Sequence, residues 1–188
     1  MEPVCKFTNT ELILNRVQQI VANENHLILE NGDKVEYDIL ALNVGSRTRH
    51  ARDTPGVEEF SLTTRPINEL LGKIERKEKE LLEKGIIPRL VVCGAGCAGV
   101  ELSFSFKNRW QKLFGQDHIE THIITNHDRV LPHERDAARE EIVRNMHKQG
   151  IQIHTNETAS EVTAEGVRTE NGTLIEGNVV VWCTGAEP

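Results

Sequence analysis

The residues of this chain best suited to chemistry are three glycines spaced as Gly94-x-Gly96-x-x-Gly99, with a carboxylate, Glu101, two positions further on. They lie between a short apolar run, Arg89-Leu90-Val91-Val92-Cys93, and a segment that reads as helix from Ala98. A glycine triplet set between strand and helix is the pattern that holds a dinucleotide pyrophosphate. Gly94 permits the tight turn off the strand, Gly96 lets backbone approach a diphosphate, and Gly99 lets the helix lie close to the strand. The opening N–H groups of that helix then offer donors and the positive end of its dipole to the phosphates. The residues expected to line such a site are Gly94, Ala95, Gly96, Cys97, Ala98 and Gly99.

A second strand reads over Ile119 to Thr125. Where a carboxylate would take the ribose hydroxyls, the chain has Thr125 and Asn126. His127 and Arg129 follow and suit a 2′-phosphate, while Asp128 between them opposes one. The plainer alternative is that these are loop residues beneath an adenine. Cys97 stands at a helix N-terminus, a place that lowers a thiol pKa. The loop around it is committed to phosphate, however, so Cys93 and Cys97 read as packing residues and Cys183 as core. The 8 histidines show no metal-binding pattern. His118 and His122 would lie roughly 13 Å apart if both were on one strand. No metal site is expected.

Composition narrows the class of partner. The 188 residues are 38% hydrophobic and 27% charged, as in globular proteins. The net charge of −7, with no cluster of Lys and Arg, argues against nucleic acid or an anionic lipid surface. No apolar run is long enough to span a bilayer, and the N-terminus has no signal-peptide core. The 4 cysteines form neither Cys-x-x-Cys nor zinc spacing and read as reduced thiols, which places the chain in the cytoplasm.

The elements that must position these residues follow from pattern. Glu11 to Val21 fits a strand, and His26–Glu30 with Lys34–Tyr37 fits a hairpin closed by Asn31-Gly32. Asp38 to Val44 reads as a buried strand ended by Gly45, and Ala51 to Leu62 as a connecting loop. A helix follows, capped by Thr64 with Pro66 in its first turn; Ile67, Leu70, Leu71 and Ile74 share its buried face, and the charged run from Lys73 is solvated. Beyond the helix that carries Glu101, a further helix reads over Glu134 to Lys148, ended by Gly150. Short β segments at Ile151–His154, Ala159–Thr163, Gly166–Thr169 and Thr173–Ile175 precede a buried strand, Val179–Cys183. Strands alternating with helices predict an α/β, Rossmann-like parallel sheet with helices on both faces, plus a β-meander.

One order of segments is diagnostic: Tyr37-Asp38 through Gly45-Ser46, then Pro55-Gly56, then the glycine triplet with Glu101, then Val179 through Thr184-Gly185 to Pro188. It resembles the FAD-dependent pyridine nucleotide-disulfide oxidoreductases, in which an NAD(P) domain is inserted into an FAD domain. The spacing after the glycine loop is similar to type II NADH dehydrogenases. The wording Leu42–Ser46, and Arg65-Pro66-Ile67 after it, is similar to the flavoprotein module fused to selenide, water dikinase.

The resemblance implies three parts: a partial FAD-domain β region with a crossing strand over 1–60, a linking helix over 61–87, and an NAD(P)-binding domain over 88–188. It implies cofactors NAD(P)H and FAD, with Gly45, Ser46, Thr184 and Gly185 near the crossings between the domains. It also implies a place for Glu101 beside the nicotinamide; the alternative is that this acid only complements the helix dipole. The family's first glycine fingerprint and its late Gly-Asp segment have no match here, so the chain is expected to be part of a longer flavoprotein. Its function is then hydride transfer from NAD(P)H to flavin and on to an acceptor such as a quinone or a selenium or sulfur species. The alternatives are a non-catalytic nucleotide-binding module, or a scaffold domain in a homodimer. Disulfide reduction is not expected, because the family's reactive pair lies on a helix this chain lacks.

Overall fold

A computed structural model of the chain describes residues 2–187; Met1 and Pro188, at the outer limits of the expected parts, lie outside them. The chain forms two compact units that part between Val44 and Gly45. The first holds helix α1 (Glu2–Phe7) and an antiparallel sheet of β1 (Val17–Val21), β2 (His26–Leu29) and β3 (Lys34–Glu36), paired in that order. The Asn31-Gly32 turn closes the hairpin as expected, with Gly32 at φ +88° and its N–H donating to the Leu29 carbonyl. Two expectations fail here. The strand expected from Glu11 is paired only from Val17. Asp38–Val44 is irregular rather than a buried strand, with Ile39 90% and Val44 89% exposed. A strand exists through its ladder with a neighbour, and among the described residues none pairs with this segment.

The second unit begins with β4 (Arg47–Thr48), α2 (Val57–Phe60), β5 (Ser61–Thr63) and α3 (Ile67–Lys84). It continues through β6 (Leu90–Cys93), α4 (Cys97–Leu113), β7 (Thr121–Ile124), α5 (Asp136–Lys148) and β8 (Ile151–His154). It ends with β9 (Ala159–Thr163), β10 (Gly166–Thr169), β11 (Leu174–Glu176), β12 (Val179–Trp182) and β13 (Ala186–Glu187). Five strands form one parallel sheet in the order β5-β12-β6-β7-β8. The chain winds outward from β6 to β8, and β12 then returns to the other side of β6. Such a reversal makes a switch point, and open α/β sheets bind ligands at the carboxyl ends of the strands there.

Every residue of β6, β7 and β12 is buried, as parallel strands covered on both faces require. One face packs Val92, Ile123 and Val181 against Leu70 and Leu81 of α3, Val100 and Trp110 of α4, and Met146 of α5. The other packs Val91, Ile124 and Trp182 against Val57 of α2 and against Val162, Val167 and Ile175 of the antiparallel β9–β11 meander. Residues 51–62, expected as a loop, contain α2 and most of β5. Leu62 and Thr63 are buried against β12, so the linking segment expected to start at 61 opens with a strand of this sheet.

Helix α3 corrects three further expectations. Pro66 precedes its first turn as N-cap, and no side chain caps it; the Thr64 hydroxyl lies 3.5 Å from that of Thr48 instead. Ile67 and Leu71 are exposed, and the buried positions are Leu70, Glu78 and Leu81. The charged run is solvated as expected, with ion pairs such as Lys73–Glu69 and Lys84–Glu80, except at Glu78. That carboxylate is 5% exposed, accepts two bonds from the Arg109 guanidinium at 2.6 and 2.8 Å, and accepts a third from the Trp110 indole at 2.8 Å. It therefore pins α3 to α4.

Removing it, as Glu78→Ala, leaves the buried Trp110 N–H unpaired and is expected to cost about 2–3 kcal/mol in urea unfolding. Arg109 holds the Glu78 carboxyl below its ordinary pKa, against the opposing effect of burial. The folded chain thus binds this proton more weakly than the unfolded chain. The stabilisation is complete above the unfolded pKa and is lost as pH falls through the folded one, so the two unfolding midpoints should converge in acid.

Candidate functional site

Three strands reach the same level at the carboxyl edge of the sheet, since Trp182, Cys93 and Ile124 are direct neighbours on β12, β6 and β7. The residues that leave this edge are Cys183, Gly94 and Thr125, all named by the sequence pattern. The Gly94 N–H donates to the Ile124 carbonyl at 2.9 Å, and the Cys183 N–H to the Cys93 carbonyl at 2.9 Å. Gly94 then turns at φ +107°, where a side chain would also sit 2.5 Å from the Cys183 carbonyl oxygen. Gly99 does what its spacing predicts. A Cβ there would lie 1.8 Å from the Gly94 carbonyl oxygen and 3.1 Å from the Cys183 sulfur, so α4 can rest on the loop only without one.

Gly96 is the opposite case. It holds an ordinary φ of −77° as the N-cap of α4, and a Cβ on it would meet nothing within 4 Å. No side chain caps the helix, and the Val100 N–H is the first to find the usual carbonyl partner, that of Gly96. Among the described residues the N–H groups of Cys97, Ala98 and Gly99 make no hydrogen bond. Free N–H groups at the start of a 17-residue helix, facing open space beside a bare Cα, fit a diphosphate. The carbonyl of the remaining loop residue, Ala95, is taken by the Leu131 N–H at 2.8 Å, which fastens the loop after β7 onto the glycine loop.

Thr125 is 5% exposed, and its hydroxyl accepts the His127 N–H at 3.2 Å. Asn126 is exposed beside it. Thr184, Gly185, Gly45 and Ser46 flank a second small assembly. β4, directly after Ser46, pairs antiparallel with β13, directly after Gly185. The Arg49 carbonyl accepts both the Thr184 hydroxyl at 2.6 Å and the Trp182 indole at 3.0 Å. The Arg49 N–H donates to the Gly185 carbonyl at 3.1 Å. Sequence reasoning missed Arg49, because backbone groups do this work and no side-chain pattern marks them.

Glu101 is exposed and lies in the second turn of α4, beyond the reach of the helix-end charge, so complementing the dipole does not explain it. Cys97, expected as a packing residue, is exposed, and its place at a helix N-terminus does not leave its thiol pKa lowered. Desolvation, followed by the Glu134 carboxylate that accepts its S–H at 3.6 Å, holds this exposed thiol above its ordinary value. Desolvation is the largest cause, and the charges of Glu134 and, more weakly, Glu101 add to it. Cys93 and Cys183 are buried, and burial raises both, Cys183 to about 12. His122 and His154 face each other across β7 and β8 at 3.0 Å, yet no group of three metal-binding side chains occurs among the described residues.

Residues 3–188 match the family described as pyridine nucleotide-disulphide oxidoreductase. The alternative NAD(P)H-ubiquinone oxidoreductase C1 of Arabidopsis thaliana is 26% identical over 183 residues, covering 86% of this chain and 34% of that protein. The ferredoxin reductase of the CYP199A2 system from Rhodopseudomonas palustris superposes with a TM-score of 0.80 at 22% identity, over 100% of this chain and 44% of that one. The water-forming NADH oxidase of Lactobacillus brevis, solved bound to NADH, gives 0.68 at 21% identity, over 93% of this chain and 37% of that one. The two solved structures speak for the fold. The chain spans 21% to 44% of the length of the curated relatives it matches. The finer likeness to a selenide, water dikinase fusion has no counterpart among these three.

Two measurements check the loop. Gly99→Val is expected to lower stability by about 3 kcal/mol, because helix and loop must separate. Gly96→Val should cost under about 1 kcal/mol, since only the N-cap preference changes. The Cys97 thiol, followed by peptide mass spectrometry, should react with iodoacetamide more slowly at pH 8 than in the urea-unfolded chain despite its exposure. Glu134→Gln should speed the reaction and shift its pH profile downward.

Proposed function

This chain belongs to the pyridine nucleotide-disulphide oxidoreductase family, and on that premise we propose that it is the NAD(P)H-binding part of an FAD-dependent oxidoreductase. The observation that carries this reading is the trio of unbonded N–H groups on Cys97, Ala98 and Gly99, set against the bare Cα of Gly96. They would hold the pyrophosphate, with Gly94 and Ala95 shaping the turn. Thr125 and Asn126 would border the adenosine ribose. Glu101 is exposed one turn along α4, and we assign it to positioning the nicotinamide.

We assign residues 88–188 to the nucleotide-binding domain, with the β5 strand as its outer edge, and 1–60 to the flavin side. On this reading Gly45 and Ser46, with Thr184 and Gly185, mark the two crossings that β4 and β13 bring together. The nicotinamide and the flavin, when bound, supply the hydride chemistry; the chain binds, orients and excludes water. Cys93 and Cys183 take no part, because thiols buried and raised in this way are not thiolates at neutral pH. Among the described residues no helix is long and apolar enough to cross a membrane. With all four cysteines free, we place the protein in a reducing, cytoplasmic compartment.

Calorimetric titration tests the binding. The chain should take up a reduced nicotinamide dinucleotide, and Gly96→Val should weaken that binding at least about tenfold by filling the space beside the N–H groups, with little change in melting temperature. A native chain that binds neither NADH nor NADPH, or a Gly96→Val variant that binds as well as the native chain, overturns the reading.

A further inference from the structure

The amino edge of the parallel sheet, opposite the edge that carries the glycine loop, holds a second concentration of polar groups. Lys107 of α4 is 2% exposed. Its ammonium donates to the Ile119 carbonyl and lies 3.4 Å from His118 Nδ1. No carboxylate is paired with it among the described residues, and burial pushes its pKa down with no acid to oppose the shift. A buried ammonium normally has a counter-ion, because a charge taken out of water without one is costly. An ammonium also has three donors, and the third makes no hydrogen bond among the described residues.

Lys107 borders a cavity of about 460 Å³ where the last turns of α4 and α5 meet the residues that lead into β7 and β8. We propose that this cavity binds a phosphate group, free or as a small phosphomonoester, with Lys107 as its buried counter-charge. The other basic side chains around it are His118, His147 and Lys148. A Cβ on Gly150, which sits at φ +67°, would lie 3.0 Å from His118 Cε1, so the ring is confined between that glycine and the Lys107 ammonium. With Lys107 donating to Nδ1, the proton of the neutral ring is on Nε2, which is a further donor. Two lysine charges match a phosphate dianion better than a monocarboxylate.

Two features oppose an anion here. Asp117 also lines the cavity, but it is exposed, and water and salt screen its charge. The end of α5 presents carbonyls, equivalent to about half a negative charge. Those of Asn145 and His147 already accept the N–H groups of Gln149 and Gly150. Two full lysine charges outweigh what remains. Lys107 lies ten residues along α4 from Cys97, roughly 15 Å by the helix rise, so this site is separate from the glycine loop and stands or falls without it.

The test is a titration of the full chain with sodium phosphate at constant ionic strength, read by calorimetry and by the ring NMR signals of His118 and His147. Both signals should move with phosphate and stay still with chloride. At roughly ten times its Kd, phosphate should raise the melting temperature by about 3–6 °C. Lys107→Met should weaken phosphate binding at least about tenfold, and Lys148→Gln, a change at an exposed position, about threefold. Gly96→Val, at the other end of α4, should leave the response unchanged. Tighter binding of phenyl phosphate than of inorganic phosphate assigns the site to monoesters, and the reverse assigns it to free phosphate. The proposal is overturned if the two ring signals ignore phosphate or if Gly96→Val abolishes the response. It is equally overturned if Lys148→Gln, or a folded Lys107→Met, binds phosphate as the native chain does.

Discussion

The site depends on one close approach, that of the Gly99 Cα to the Gly94 carbonyl. With 1.8 Å between that oxygen and any added Cβ, the contact is open to glycine alone. It sets the angle at which α4 leaves the sheet, and so where its first N–H groups point. A Cβ at the same position would also meet the Cys183 sulfur, on the residue directly after β12, so the helix start is confined by the ends of two strands. A tilt of α4 would move the donors away from the switch point, and the chemistry the loop offers would go with them.

Other contacts serve to keep that approach fixed. Glu78 reaches across from α3 to take hydrogen bonds from Arg109 and Trp110, along the length of α4. Leu131 closes the β7 loop onto Ala95. The Arg49 carbonyl gathers Thr184 and Trp182 at the end of β12. Two of the three use backbone groups at loop positions, and the third uses a carboxylate whose bonds are satisfied three times over. The arrangement suits a site that orients its ligand rather than one that reacts with it: every group holding the loop is already bonded, and only the helix-end donors are left open.

What could be read in the sequence follows from how local each signal is. β6 and β12 were legible because strands buried on both faces are uninterrupted apolar runs, and the glycine spacing told where α4 begins. Asp38–Val44 looked the same, yet it is no strand, because an apolar run specifies burial only when a neighbour supplies the ladder. Glu78 was hidden within a charged run; its burial depends on Arg109 and Trp110, which lie more than thirty residues away. Cys97 misled for the same reason. Its place at a helix start was visible, whereas the desolvation that raises its thiol and Glu134, the carboxylate from a different loop that adds to it, were not.

The overall charge sharpens the last point. A chain of net charge −7 has no long-range attraction for a ligand that carries a diphosphate. Recognition must therefore come from groups within a few ångströms, where oriented N–H dipoles and single side chains act and the distant carboxylates are screened by salt. That is how the glycine loop is built: its donors belong to backbone and add no formal charge.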